Sequence, residues 1–224
     1  MVTSRTAPRT GRKGKAPAVN SDSISRERVM KVALHKFLQH GYAGTSMKAL
    51  AQELGVSAPA IYWYFPSKDD LYVSVLDASM KDFLAHVHDS ITDEEPVTKL
   101  GQIVRAHVTW QLQQLGAARA FDLTMTYKGE SHDLPSERLE PVFKMQRAYV
   151  QEVAEVLQRG KDRGVMRVDD VRTASFAIIT LCDYVFTWFD PQGEMSVAAV
   201  ANRYESLVRN MVGASAYANS LEVV

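Results

Sequence analysis

A chain of 224 residues, 46% of them hydrophobic, is long enough for a small domain plus a larger one and has the composition of an ordinary soluble globular protein. Its single cysteine, Cys182, excludes an intramolecular disulfide framework. No apolar run approaches the roughly 20 residues of a membrane span. The opening segment MVTSRTAPRTGRKGKAPAVNS lacks the apolar stretch of a secretory signal, so a cytoplasmic protein without membrane contact is expected. Net charge is zero, yet residues 1–81 hold 12 Lys or Arg against 6 Asp or Glu, while residues 82–224 hold 14 against 20. A basic front on an acidic remainder is the asymmetry expected when one part of a protein faces phosphates.

The first 24 residues set Arg5, Arg9, Arg12, Lys13 and Lys15 among Pro, Gly, Ser and Thr with a single acid, the composition of a disordered arm. Such an arm either follows DNA phosphates and the adjacent minor groove or serves as a solubilising tail. From Ser25 the pattern turns helical: Val29, Val32, Ala33, Phe37 and Leu38 form the apolar stripe of a first helix that ends at Gly41, and Tyr42 and Ala43 lead onward.

Residues 45–68, TSMKALAQELGVSAPAIYWYFPSK, read as a helix, a Gly-centred turn and a second short helix. Thr45 is placed to cap the first of these, in which Met47, Leu50, Ala51 and Leu54 recur at the spacing of one buried face. Gly55 supplies the left-handed conformation that ends it, and Val56 pins the turn. Ser57 is placed to cap the second helix, with Pro59 in its first turn, where a missing amide costs little. Ile61 and Phe65 then face inward, which turns Ala58, Ala60, Tyr62, Trp63 and Tyr64 outward. A surface helix with three consecutive aromatics suits contact better than solubility. In a helix-turn-helix the second helix enters the DNA major groove and the first crosses the backbone.

Thr45-Ser46-Met47, Ala51, Gly55-Val56-Ser57, Ile61-Tyr62, Tyr64-Phe65 and Ser67-Lys68, followed by Leu71, resemble the TetR family of bacterial transcriptional repressors over about residues 25–75. The resemblance implies that Thr45, Ser57, Tyr62, Tyr64 and Lys68 touch phosphates, with Ala58, Pro59 and Trp63 near the bases. With Ser46 and Lys48, these make the expected DNA-binding set. The chain departs from the family at residues 58–60, where Ala-Pro-Ala replaces the Lys, Gly or Thr frequent there. Thymine methyl contacts, Ser57, the aromatic trio and DNA shape are then expected to carry more of the specificity.

After Phe65-Pro66, Ser67 and Asp70 make a capping-box-like start to a fourth helix, with Leu71, Val75, Leu76 and Phe83 as core positions. Further helices are expected at about 96–115, 117–128, 136–162, 169–189 and 196–212, with Pro141 kinking or restarting the third of them. No alternating β-branched run occurs. The expected fold is all-α: a disordered basic arm (1–24), an N-terminal three-helix helix-turn-helix domain (25–70), a C-terminal helical ligand-binding and dimerisation domain (71–214) and a flexible tail (215–224).

By the resemblance, the last two helices pair with those of a second copy in a four-helix bundle. A homodimer also suits the DNA, because one short recognition helix gains only about 1 to 3 kcal/mol per good base contact, whereas two helices one DNA turn apart read a palindromic operator. Residues 96–162 are rich in bulky side chains, among them Val104, Val108, Phe121, Leu123, Tyr127, Phe143 and Val153. They read either as plain core or as the wall of an apolar cavity with His107, Thr124, Asp183 and Tyr184 for orientation. The resemblance implies a small lipophilic effector there, with His107, Trp110, Phe121, Met125, Met145, Tyr149, Asp183, Tyr184 and Trp188 as the candidate effector-binding set.

The corner Trp188 to Gly193, with Gly164 to Asp169, is also similar to effector domains that sense acyl-CoA thioesters in family members controlling fatty-acid or steroid degradation; another lipophilic effector is equally compatible. A DNA-binding protein controlled by a protein partner or acting constitutively, without a small molecule, is the alternative. No enzyme, catalytic residue, cofactor or metal is expected. His86 and His88 are two apart and diverge on a helix, Cys182 has no evident base, and no phosphate-binding glycine loop or nucleophile elbow is present.

Overall fold

The computed structural model describes residues 24–114 and 136–214, and among them are eight α-helices, one 3-10 turn and no strand. The expected arm (apart from Ile24), the helix expected at about 117–128 and the tail 215–224 lie outside the described residues.

Helices α1 (Arg26–Gly44), α2 (Met47–Leu54) and α3 (Ala58–Tyr64) form the N-terminal bundle. Val29, Ala33 and Phe37 of α1 are buried, as are Met47, Leu50, Ala51 and Leu54 of α2 and Ile61 with Phe65 around α3. α1 is interrupted at Gly41, where φ is 69° and ψ 175°, close to the expected end. Gly55 takes the left-handed conformation, with φ 68° and ψ 30°. Its amide donates to the Ala51 and Gln52 carbonyls, and the Val56 amide reaches back to Ala51 at 3.0 Å, so the turn closes as a Schellman motif.

Two caps differ from expectation. Ser46, not Thr45, is the N-cap of α2: its oxygen accepts the Ala49 amide at 3.1 Å. Thr45 is buried, and its hydroxyl donates to the Lys36 and Gly41 carbonyls at 3.1 and 2.9 Å. The bulkier β-branched residue fills space against α1, and the small exposed serine takes the cap. Ser57 holds the N-cap position of α3 in extended conformation but makes no side-chain cap bond, and the helix start is set by Pro59 in the first turn.

α4 (Lys68–Asp89) starts with the expected capping arrangement: Ser67 Oγ accepts the Asp70 amide at 3.1 Å and its hydroxyl donates to the Asp70 carboxylate at 2.6 Å. Leu71, Val75, Leu76 and Phe83 are buried as expected, joined by Tyr72, Met80 and Val87. α4 packs on α1 near its start and on α5 (Pro96–Gln113) and α6 (Ser136–Asp162) further along. α6 runs through Pro141 without restarting. Glu137 and Pro141 are both exposed, so the carbonyl that loses its amide partner faces solvent. α7 (Val171–Asp183) gives way to the 3-10 turn Tyr184–Thr187 rather than continuing to residue 189, and α8 (Val197–Met211) is the last described helix.

α5 is the centre of the larger part and is packed by α4, α6, α7 and α8. Gly101 faces α8: a Cβ there would lie 2.6 Å from Glu205 Oε1 and 3.0 Å from an Arg209 guanidinium nitrogen, so the ends of these side chains would have to shift. Among the described residues no helix is long and apolar enough to cross a membrane.

The two caps give a paired expectation. Ser46→Ala lowers unfolding free energy by about 1 kcal/mol in urea titrations, whereas Ser57→Ala changes it by no more than a few tenths of that.

Candidate functional site

The N-terminal surface is built by α2 and α3. With Ile61 and Phe65 fixing the inner face, Tyr62 is 47% and Trp63 80% exposed. Trp63 meets the neighbouring Tyr64 ring edge-on, at 4.9 Å between centroids. Ser46, Lys48, Ser57 and Pro59 are exposed as well, and Ala58 is half-buried.

Three members of the expected DNA-binding set are engaged within the protein. Thr45 is tied to α1 as described. Tyr64 is half-buried and donates its hydroxyl to the Ile24 carbonyl at 2.7 Å. Lys68 lies over the Tyr42 ring, 4.0 Å from its centroid, and donates to the Tyr42 carbonyl at 3.0 Å. The electron-rich ring face and the carbonyl at the end of α1 give this ammonium a folded partner.

The same corner joins the two parts of the molecule. The Tyr42 hydroxyl donates to Asp69, and Arg138, in the first turns of α6, donates to Asp69 at 3.2 Å and also to Asp70. The Ser67 hydroxyl, assisted by the Arg138 guanidinium, holds the Asp70 carboxyl below its usual range against a smaller opposing effect of burial.

Between α4, α5, α6 and α7 lies a small cavity, part of it open to solvent. Met80 and Phe83 come from α4, His107, Trp110 and Gln111 from α5, Gln146, Tyr149 and Val150 from α6, and Ile179 and Asp183 from α7, with Ser79 at the edge. Phe83 sits edge-on to His107, Trp110 and Tyr149 at 4.8 to 5.2 Å between centroids. The Trp110 indole donates to Asp82 at 2.7 Å.

A polar chain crosses this aromatic wall. Tyr149 Oη lies 3.1 Å from His107 Nδ1, and His107 Nε2 lies 2.9 Å from Asp183 Oδ1. Burial, reinforced by Cys182, Asp183 and Glu152, pushes the Tyr149 phenol well above its ordinary value, so it stays protonated. It then donates to Nδ1, and the Nε2–H tautomer donates to Asp183, an assignment set by the hydrogen-bond network. Gln111 Nε2 donates to the same Asp183 oxygen at 3.1 Å, and Gln111 Oε1 has no donor. Reversing the amide would set that oxygen against the carboxylate. Asp183 is the one charged side chain among the described lining residues.

Of the expected effector set, the structure gathers His107, Trp110, Tyr149 and Asp183 in this cavity. Met145 packs elsewhere against the core, and Tyr184 is exposed and outside the cavity. Trp188 stacks on Tyr204 of α8, with its indole donating to the Tyr204 hydroxyl at 3.0 Å. The 3-10 turn explains the last two, since the tighter winding carries both residues away from the α7 face that lines the cavity. Phe121, Met125 and Thr124 lie outside the described residues. Met80, Phe83, Gln111 and Gln146 were not foreseen as lining. Gln111 had a readable sign, a polar residue one turn after His107 on an otherwise apolar face.

Residues 93–212, more than half of the chain, match the family model described as tetracyclin repressor-like, C-terminal domain, and residues 29–75 match that of bacterial regulatory proteins, tetR family. The chain belongs to the TetR family. The family is one of bacterial regulatory proteins. The HTH-type transcriptional regulator RutR of Escherichia coli (strain K12) is 29% identical over 103 residues, 46% of this chain and 49% of RutR. The chain thus spans about half the length of the first curated relatives it matches. A bacterial regulatory protein in the tetR family from Rhodococcus RHA1 superposes with a TM-score of 0.75 at 23% identity, covering 84% of this chain and 96% of that one. AibR in complex with isovaleryl coenzyme A and operator DNA superposes at 0.69 with 18% identity, covering 84% and 97%. Likenesses at these identities carry the fold.

The corner around Asp70 sets a pH dependence. A carboxyl whose folded value is depressed contributes stability that is complete above its unfolded value, near 4, and is lost as pH falls through the folded value. Asp70→Asn should therefore lower stability at neutral pH and flatten the loss below about pH 4. Thermal melts of both proteins between neutral and acid pH measure the difference.

Proposed function

We propose that this protein is a ligand-responsive repressor that binds a palindromic operator as a symmetric homodimer and is released by a small lipophilic effector held between α4 and α7. The observation that carries the DNA assignment is the outward presentation of Tyr62 and Trp63 on α3, with Ile61 and Phe65 locking the opposite face. Ser46, Lys48, Ser57, Ala58, Pro59, Tyr62 and Trp63 form the contact set, with Tyr64 at its edge. The hydroxyl of Thr45 and the ammonium of Lys68 serve the fold and leave the phosphates to Lys48 and the serines. The DNA-binding unit is 25–70, and residues 71–214 serve the effector and the dimer.

Exposed apolar side chains on the last elements support the dimer: Phe176, Tyr184, Trp188, Leu207 and Met211 are all at least two-fifths exposed. Large apolar residues clustered on terminal helices mark an association surface. Two copies then set two α3 helices about 34 Å apart, one DNA turn. Ligand favours a dimer whose spacing no longer fits, which requires a preference of about 1 to 3 kcal/mol for one state.

An acyl-CoA is one candidate effector, on the ground that AibR holds isovaleryl coenzyme A on the same fold, but Asp183 and the lack of a lysine or arginine among the described lining residues count against it. The Trp188 corner does not add to that support, because Trp188 lies outside the cavity.

Fluorescence polarisation with the protein's own upstream DNA tests the proposal. Trp63→Ala should weaken operator binding by about tenfold or more, and Lys48→Ala should weaken it across all sequences while reducing the salt slope by about one. Equal affinity of the unmodified protein for its upstream DNA and for random duplex would sink the operator assignment. Tight binding released only by a protein partner would replace the small effector.

A further inference from the structure

We infer that the cavity is built for a compact apolar molecule that brings a hydrogen-bond donor and no negative charge: an alcohol, a phenol or an amine. The inference rests on the proposal that this cavity is the effector site, and it specifies the chemistry of the effector.

Gln111 carries the argument. The residue is 7% exposed and lines the cavity, its Nε2 is fixed on Asp183 at 3.1 Å, and its Oε1 has no donor. Among the described residues only this oxygen and Arg209 Nε on α8 are buried side-chain polar atoms without a partner, and a buried acceptor without a donor is costly. The neighbouring polar groups do not relieve it. His107 is occupied at both nitrogens by Tyr149 and Asp183, and the Trp110 indole is directed to Asp82. A ligand O–H or N–H is the missing partner.

Asp183 sets the sign of the charge. Its side chain is 37% exposed, and it accepts from His107 and Gln111 with capacity left on the carboxylate. No described lining residue is a lysine or arginine, so among the described residues an anion would meet a carboxylate and no cation. Met80, Phe83 and Trp110 supply the apolar wall, and the small volume between them favours a compact molecule.

Four phenyl-C2 compounds separate the possibilities: 2-phenylethanol, phenethylamine, phenylacetate and ethylbenzene, titrated calorimetrically into the full chain, with phenylacetyl-CoA as a fifth. At least one of the two donor-bearing compounds should bind about tenfold or more tighter than phenylacetate and ethylbenzene. Amine above alcohol assigns the recognition chiefly to Asp183, and parity or the reverse assigns it to Gln111. Gln111→Met should bring the alcohol within about threefold of ethylbenzene, and Asp183→Asn should reduce the preference for the amine. Since the comparison is also made within the unmodified protein, a misfolded variant does not blunt it. Phenylacetate or the thioester binding as tightly as the donors overturns the inference, as does the absence of binding by all five. Polarisation on operator DNA in the same samples keeps the two readings apart: donor-selective binding without DNA release defeats the repressor mechanism alone, and release by the thioester alone defeats this inference alone.

Discussion

The burial of α5 constrains everything around it. From Leu100 to Leu112 every residue but Arg105 and Thr109 is buried, because four other helices pack on this one. A helix enclosed in this way must satisfy its polar side chains internally, each failure costing about 1 to 3 kcal/mol. Gln102 obeys the rule: its carbonyl accepts from the Thr92 and Asp93 amides, its amide donates to the Thr92 hydroxyl, and the loop between α4 and α5 is closed by the exchange. Two turns further on, Gln111 breaks it. On the proposed reading, such a local violation is where function rather than stability would have selected the residue.

α4 connects that violation to the N-terminal helices. Its 22 residues make a rod of about 33 Å. At one end Asp69 and Asp70 meet Tyr42 from the helix-turn-helix side and Arg138 from α6. Some ten residues along, Ser79, Met80 and Phe83 border the cavity, which α6 also borders through Gln146, Tyr149 and Val150. The two helices are therefore joined twice, by an ion-paired corner and by a wall of aromatic contacts. Packed helices do not deform continuously, so on the proposed mechanism a change of spacing at the wall would be relayed to the corner. The corner contains Tyr42, which also holds Lys68 and packs on Phe37 and Tyr72, so a displacement there would reach the base of α3.

Much of the fold was legible because it rests on local chemistry. The 3.6-residue period gave the buried faces of α1, α2 and α4, and Gly55 gave a turn that only a left-handed residue closes. The caps were less legible. Threonine and serine both bond an orphan amide, and in the pair Thr45-Ser46 the choice between them depends on which side chain the neighbouring helix buries. The end of α7 was misplaced for a similar reason: Tyr184 to Thr187 keeps a helical pattern, and the change to 3-10 winding reflects tertiary packing of Val185 and Phe186.

The cavity was the least legible part, since an aromatic side chain that fills a core and one that walls a pocket are the same residue at the same spacing. Met145 and Tyr149 are four apart on one helix and both apolar in pattern, yet one supports the core and the other reaches the cavity. Polar residues discriminate where apolar ones do not. On a helix face that must be dry, a histidine followed one turn later by a glutamine demands partners, and His107 and Gln111 draw them from α6 and α7 at sequence separations of 42 to 76 residues. The long separations show why no local pattern revealed the set. Among the described residues the Gln111 oxygen finds no donor.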